Sequence, residues 1–206
     1  MRTLVVVLLA VLTFAACGGN GPDTRYYQLA EPKPVASQRG GVALGIEPLA
    51  TDTAYDDERI VYRVTPYRLD YYNYHHWSSA PGAMIANYLE HALEHSGRFS
   101  SVTREAGAGV AAVLGGRVIA IEEIDQSKTR WVGHITLELT LTDPTSGKLI
   151  WSEQYDETEP LAVQSPEGLA RALSTALDRI ATRVVPAVSV VAADQAKTRE
   201  TTANRR

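Results

Sequence analysis

Trp131-Val132-Gly133-His134-Ile135-Thr136-Leu137-Glu138-Leu139-Thr140-Leu141-Thr142 runs into Asp143-Pro144-Thr145-Ser146-Gly147 and then into Lys148 to Tyr155. Ile135, Leu137, Leu139 and Leu141 alternate with His134, Thr136, Glu138 and Thr140, the period of two that sets an apolar and a polar face on one strand. The Asp-Pro-Thr-Ser-Gly cluster is turn chemistry, so Lys148 to Tyr155 is read as the partner strand of an antiparallel pair. Such a pair keeps one face in water and needs a cover on the other.

Working outward, Phe99 to Arg104 and Ala111 to Ile124 are β-favouring runs, and the covers are two amphipathic helices. In the first, Met84, Ile85, Tyr88, Leu89, Ala92 and Leu93 recur at helical spacing, with Ser78 or Ser79 as cap, Pro81 in the first turn and Gly97 as the stop. In the second, Ser165-Pro166-Glu167 is a helix start and Leu169, Leu173, Leu177, Ile180 and Val184 form the stripe to be buried. Upstream, Tyr26 to Leu29 and Val42 to Leu49 read as strands, Asp52 to Glu58 as a loop, and Arg59 to Val64 with Arg68 to Trp77 as a pair joined by Thr65-Pro66-Tyr67. The expected class is α+β, a mostly antiparallel mixed sheet with two helices packed on one face.

The first residues follow different rules. Arg2, the apolar run Leu4 to Leu12 and Thr13-Phe14-Ala15-Ala16-Cys17 have the layout of a secretory signal, too short for a permanent bilayer span. Ala15 and Ala16 before the single cysteine resemble the bacterial lipobox, although Phe14 stands where leucine is usual. A lone thiol is a liability in an oxidising compartment, and lipidation consumes it. The division expected is a signal peptide over 1–16, the lipid-bearing Cys17 with a Gly- and Pro-rich tether over 17–24, a domain over 25–190, and a disordered polar tail over 191–206. Two or more acyl chains, such as palmitate, make attachment effectively permanent. Gly18, in place of an aspartate, points by the same resemblance to the outer membrane.

Removal of Arg2 leaves 19 basic against 24 acidic residues, a net charge of −5 that gives no basic surface for nucleic acid. Three motifs bear on chemistry. His91-Ala-Leu-Glu94-His95 spells the string of inverted zinc peptidases, but on a helical wheel Glu94 falls opposite the apolar stripe, and no third ligand is evident. Gly107-Ala-Gly109-Val-Ala-Ala112 nearly matches a dinucleotide loop, yet a strand rather than a helix is expected to follow. Tyr62, Tyr67, Tyr71, Tyr72, Tyr74 and Trp77 crowd sixteen residues. Such rings either close a core with their hydroxyls in solvent or form a binding surface. No catalytic residue, metal or cofactor is assigned.

Tyr26-Tyr27-Gln28-Leu29, Arg59-Ile60-Val61-Tyr62-Arg63, Tyr71-Tyr72-Asn73-Tyr74-His75-His76-Trp77 and Val113-Leu114-Gly115-Gly116-Arg117-Val118 occur in order between the lipobox cysteine and the closing helix. In this order the chain resembles the ABC-type transport auxiliary lipoprotein family, over most of residues 17 to 190. His76 stands where that family often has a basic residue before the tryptophan. The resemblance implies a non-enzymatic accessory, anchored through Cys17 on the periplasmic face of the outer membrane. It would meet an MCE-domain, periplasm-spanning protein of an ABC transport system and help lipids or other hydrophobic molecules cross. Tyr62, Tyr71, Tyr72, Tyr74, His76 and Trp77 are the candidate partner-binding residues. The competing readings are a small metal-dependent hydrolase using His91, Glu94 and His95, and an outer-membrane assembly or plug lipoprotein.

Overall fold

The computed structural model describes residues 22–34, 40–104, 107 and 109–204. In chain order the elements are β1 (Arg25–Tyr27), β2 (Ala43–Ile46), β3 (Ala50–Thr51), β4 (Arg59–Thr65), β5 (Arg68–Trp77), α1 (Pro81–His95), β6 (Ser101–Thr103), β7 (Ala112–Ser127), β8 (Arg130–Thr142), β9 (Leu149–Pro160) and α2 (Pro166–Ala203). The alternating stretch is β8, central in the β7–β8–β9 antiparallel meander, with Leu137 opposite Val118 on one side and Tyr155 on the other. Ile135, Leu137, Leu139 and Leu141 are fully buried, as their period requires.

The other edge of β7 is shared. β2 pairs with it at residues 112–114, β3 at 117–118 and β4 at 123–124, all parallel. β6 extends the first of these, and β5 and then β1 extend the last. The long ladders are therefore antiparallel and the short ones parallel, which makes the sheet mixed. β7 satisfies three separate segments because it is 16 residues long and β8 covers its whole opposite side. Gly116 sits between the β2 and β3 pairings at a φ of +139°, where a Cβ would lie 2.1 Å from the Glu138 carbonyl oxygen. Only glycine tolerates that backbone.

Both helices lie against β7, and α2 also covers β8 and β9. Leu169, Leu173, Leu177, Ile180 and Val184 are fully buried, as their spacing demands. Ser165 caps α2, its Oγ accepting the Gly168 N–H at 3.0 Å. The α1 start differs from expectation. Ala80 occupies the cap position without a side-chain bond, and Pro81 alone sets the entry, its missing N–H being one the helix end leaves unused anyway.

The tail expected beyond 190 is instead helix, because α2 continues to Ala203. At 1.5 Å per residue its 38 residues span about 57 Å. The continuation has its own packing. Ala192 is fully buried and Ala196 lies against the core, while Gln195 donates to Asp143 and Arg199 donates to the Val110 carbonyl and the Thr145 hydroxyl. Small residues four apart make a contact face that carries little hydropathy.

Gly82 brings α1 against β3: a Cβ there would stand 2.2 Å from the Leu49 carbonyl oxygen. Gly82→Ala is expected to lower unfolding free energy by about 1–3 kcal/mol. Gly107→Ala, where no described residue lies within 4 Å of an added Cβ, should change it by less than about 0.5 kcal/mol. Urea denaturation of the two variants tests the difference.

Candidate functional site

The aromatic segment lies on the β1–β5–β4 blade. β5 is not an edge, since β1 pairs with it in parallel through Arg25–His75, Tyr26–His76 and Tyr27–Trp77. Strict alternation along β5 fails because the β4 register jumps from Val61–Tyr71 to Arg59–His76, two residues of β4 spanning five of β5. The irregularity re-aims side chains. Tyr72 meets Tyr62 at 4.9 Å between ring centroids and His75 edge-on at 5.5 Å. Tyr71 instead carries the Arg59 guanidinium 4.5 Å above its ring and donates its hydroxyl to the Ala54 carbonyl. Tyr26 stacks against His76 at 5.8 Å.

The six candidate residues thus divide. Tyr62, Tyr71, Tyr72 and His76 are half-buried and Tyr74 is exposed, whereas Trp77 is 1% exposed and belongs to the core. Tyr26, not among the candidates, is 64% exposed and extends the surface. Its place beside His76 depends on the parallel pairing of two segments fifty residues apart, which no local pattern announces.

A second cluster was not legible in the sequence. On the sheet face away from the helices, Glu122 of β7, His134 of β8 and Asp156 of β9 stand in a row, joined by Tyr55 and Arg63. Glu122 Oε2 accepts from the Tyr55 hydroxyl at 2.8 Å and Arg63 Nε at 3.0 Å, and its Oε1 lies 3.2 Å from His134 Nδ1. Thr136 donates to Asp156 at 3.0 Å and lies 3.1 Å from His134 Nε2. Burial would raise the Glu122 carboxyl, but bonds from His134 and Tyr55 and the Arg63 charge outweigh it and hold it below its ordinary value. His134 is raised, chiefly by Glu122, against the opposing effect of burial.

Thr136, His134 and Glu122 have the outline of a hydroxyl, imidazole and carboxylate relay. The electrostatics argue otherwise. Thr136 is 4% exposed, and an imidazole between two carboxylates favours its charged form, which cannot take a proton. The cluster clamps four strands, β4, β7, β8 and β9, and the 52–58 loop.

Glu123, one residue on, points to the opposite face and is fully buried. Its Oε1 accepts from the Tyr72 hydroxyl at 2.8 Å. Burial and the neighbouring Asp125 push its pKa up to about 7 against the Tyr72 bond. Among the described residues, no donor reaches the buried Glu123 Oε2 or Asp125 Oδ1. A proton kept on one of the two carboxyls supplies it.

His91 and His95 stack with centroids 6.1 Å apart on α1, and His91 Nδ1 contacts Glu31. Among the described residues no three His, Cys, Asp or Glu side chains converge as a metal-binding set. Ala112 opens β7, so the glycine-bearing stretch before it leads into a strand and not the helix a dinucleotide loop requires. No helix among the described residues is long and apolar enough to cross a membrane. Cys17 and the signal peptide lie outside the described residues.

The family model for the ABC-type transport auxiliary lipoprotein component matches residues 27–185. The chain belongs to this family. Among curated proteins none matches the sequence. A crystal structure from Xanthomonas campestris is similar over 84% of this chain and 99% of its own, with a TM-score of 0.72 at 20% identity. Another, of an uncharacterised protein, covers 81% and 99% with a TM-score of 0.66 at 16% identity. A Chlamydia trachomatis protein covers 74% and 98% with a TM-score of 0.53 at 11% identity. At these identities the likeness is one of fold.

The auxiliary lipoprotein domain thus ends its family match near Val185, within α2, and the helix carries on to pack over the β7 start and the 143–145 turn. Its buried titratable groups give it a pH dependence. A glutamate raised from 4.5 to about 7 binds more protons folded than unfolded, so stability falls as pH rises across that interval. His134, raised above 6.5, contributes stability that is present below that value and lost as pH climbs through its folded value. Both effects run the same way. The melting temperature is expected to fall between about pH 5 and about pH 8, and Glu123→Gln, which cannot ionise, should flatten the lower part of that slope. Calorimetry across the interval checks both.

Proposed function

We propose that this auxiliary lipoprotein serves an MCE-type ABC system that moves lipids or other hydrophobic molecules between membranes, anchored through Cys17 to the periplasmic face of the outer membrane. The family membership supports the transport role, and the lipobox-like Ala15-Ala16-Cys17 supports the anchor. The observation that carries the docking surface is the group around the β1–β5 pairing: Tyr26 at 64% and Tyr74 at 44% exposure, with His76 against Tyr26 and Arg59 stacked on Tyr71. Large rings held by strand pairing offer contact area at low entropy cost, and Tyr and Arg are enriched where interfaces are strongest. Tyr62 and Tyr72 act from behind, fixing β5 through each other and Glu123. Trp77 holds the blade to the core.

The surface is tested by crosslinking the lipid-bearing protein in membranes and identifying captured proteins by mass spectrometry. An MCE-domain protein and its transporter are the expected capture. Tyr26→Ala with Tyr74→Ala should weaken that capture about tenfold or more with an unchanged melting temperature, the loss of two interface rings. Capture of a barrel-assembly protein instead, or full capture by the double variant, contradicts the reading. Cys17→Ala should move the protein to the soluble fraction.

A further inference from the structure

Between α1 and α2 runs a groove of about 260 Å³. Small and apolar residues line much of it: Ala92 of α1, Ala181, Val185 and Pro186 of α2, and Pro32. Pro186 lies inside a helix that otherwise runs unbroken, and its missing N–H removes the helical donor of the Thr182 carbonyl, which also lines the groove.

The groove is chemically asymmetric. Its lining at one end includes Asp178, which is engaged by the Tyr88 hydroxyl at 3.3 Å. Lys33 and Arg98 also line it, both exposed, and neither forms an ion pair among the described residues, whereas most arginines of this domain are paired. A groove whose lining joins five apolar residues to two uncommitted cations complements a chain that is apolar along its length and anionic at its end. Its volume is below the roughly 300–1,000 Å³ of sites that enclose a drug-sized molecule and is on the scale of one chain. From Asp178 to Pro186 the helix wall is about 12 Å long, a length suited to part of one acyl chain lying along it.

We propose that this groove binds a single-chain anionic lipid, a fatty-acid carboxylate, its chain on Ala92, Ala181 and Val185 and its headgroup between Lys33 and Arg98. The source is the membrane to which the protein is anchored, so the inference rests on the lipid-handling role proposed above and supplies it with a site. The lining of this site shares no residue with the aromatic surface of the β1–β5 blade. Partner capture and lipid binding therefore separate by mutation.

The test uses the full, lipid-bearing chain in phosphatidylcholine vesicles containing a palmitate that carries a photoactivatable diazirine, with labelled peptides identified by mass spectrometry and no transport partner present. Adducts are expected on the peptides holding Ala92 and Ala181 to Val185. Lys33→Ala with Arg98→Ala, both surface changes that leave the core intact, should reduce them about tenfold, as expected for losing charge-assisted contacts. Val185→Trp, which fills the trough, should do the same provided its melting temperature is retained. The corresponding uncharged alcohol should label weakly. Adducts spread over exposed apolar residues such as Val190 and Tyr67, or labelling indifferent to the double substitution, would overturn the site. Failure here with MCE capture intact removes the groove and leaves the transport reading standing, and the converse result does the opposite.

Discussion

The hydrogen-bonding capacity of one strand organises this domain. Every backbone N–H and C=O of a buried strand needs a partner, and β7 is long enough that β8 fills one side while β2, β3 and β4 divide the other. Two small blades that could not bury themselves are thereby fixed to one spine. β3 pairs at only two positions and β4 at two, so neither is held by its ladder alone. What retains them is side-chain packing: α1 pressed on β3 at Gly82, and the Tyr55, Arg63 and Glu122 bonds tying the 52–58 loop and β4 to β7.

Polar burial follows from the same spine. Glu122 and Glu123 are neighbours on β7 and so face opposite ways, one toward the open face of the sheet and one toward the helices. Glu122 is surrounded by donors and stays ionised. Glu123 has a phenol and a second carboxyl and tends to keep its proton. One strand thus carries an acid favoured charged and an acid favoured neutral, set by environment alone. The outer cluster links the meander to the loop beneath the aromatic blade, and the inner pair supports Tyr72 within it. The surface proposed for docking is therefore positioned by buried carboxyl groups on both faces.

Much of the fold could be read from local pattern. The alternation of Ile135 to Leu141 named β8, and the stripe from Leu169 to Val184 named α2, because a period is a local property that burial preserves. The parallel attachments of β2, β3 and β4 could not be read, since each is a short pairing between segments more than sixty residues apart. The helix beyond 190 was concealed by alanines, which pack through size and leave no hydropathy signal. The site was half legible. The abundance of tyrosine marked the blade, but the irregularity between Tyr71 and His76 interrupts the alternation of β5, and Tyr26 joined the surface only through pairing. His134 read simply as a polar-face residue. Its place beside Glu122 and Asp156 is a matter of register across three strands, and register is fixed by the whole sheet.

The claim that β7 binds both blades and both helices into one cooperative unit is tested most directly by native-state hydrogen exchange of the full chain. The account predicts that amides of β7 and β8 exchange last and together, at the free energy of global unfolding, and that β4 and β5 lose protection no later than β7. Protected β4 and β5 amides persisting after β7 has exchanged would show a blade that stands by itself, and would contradict it.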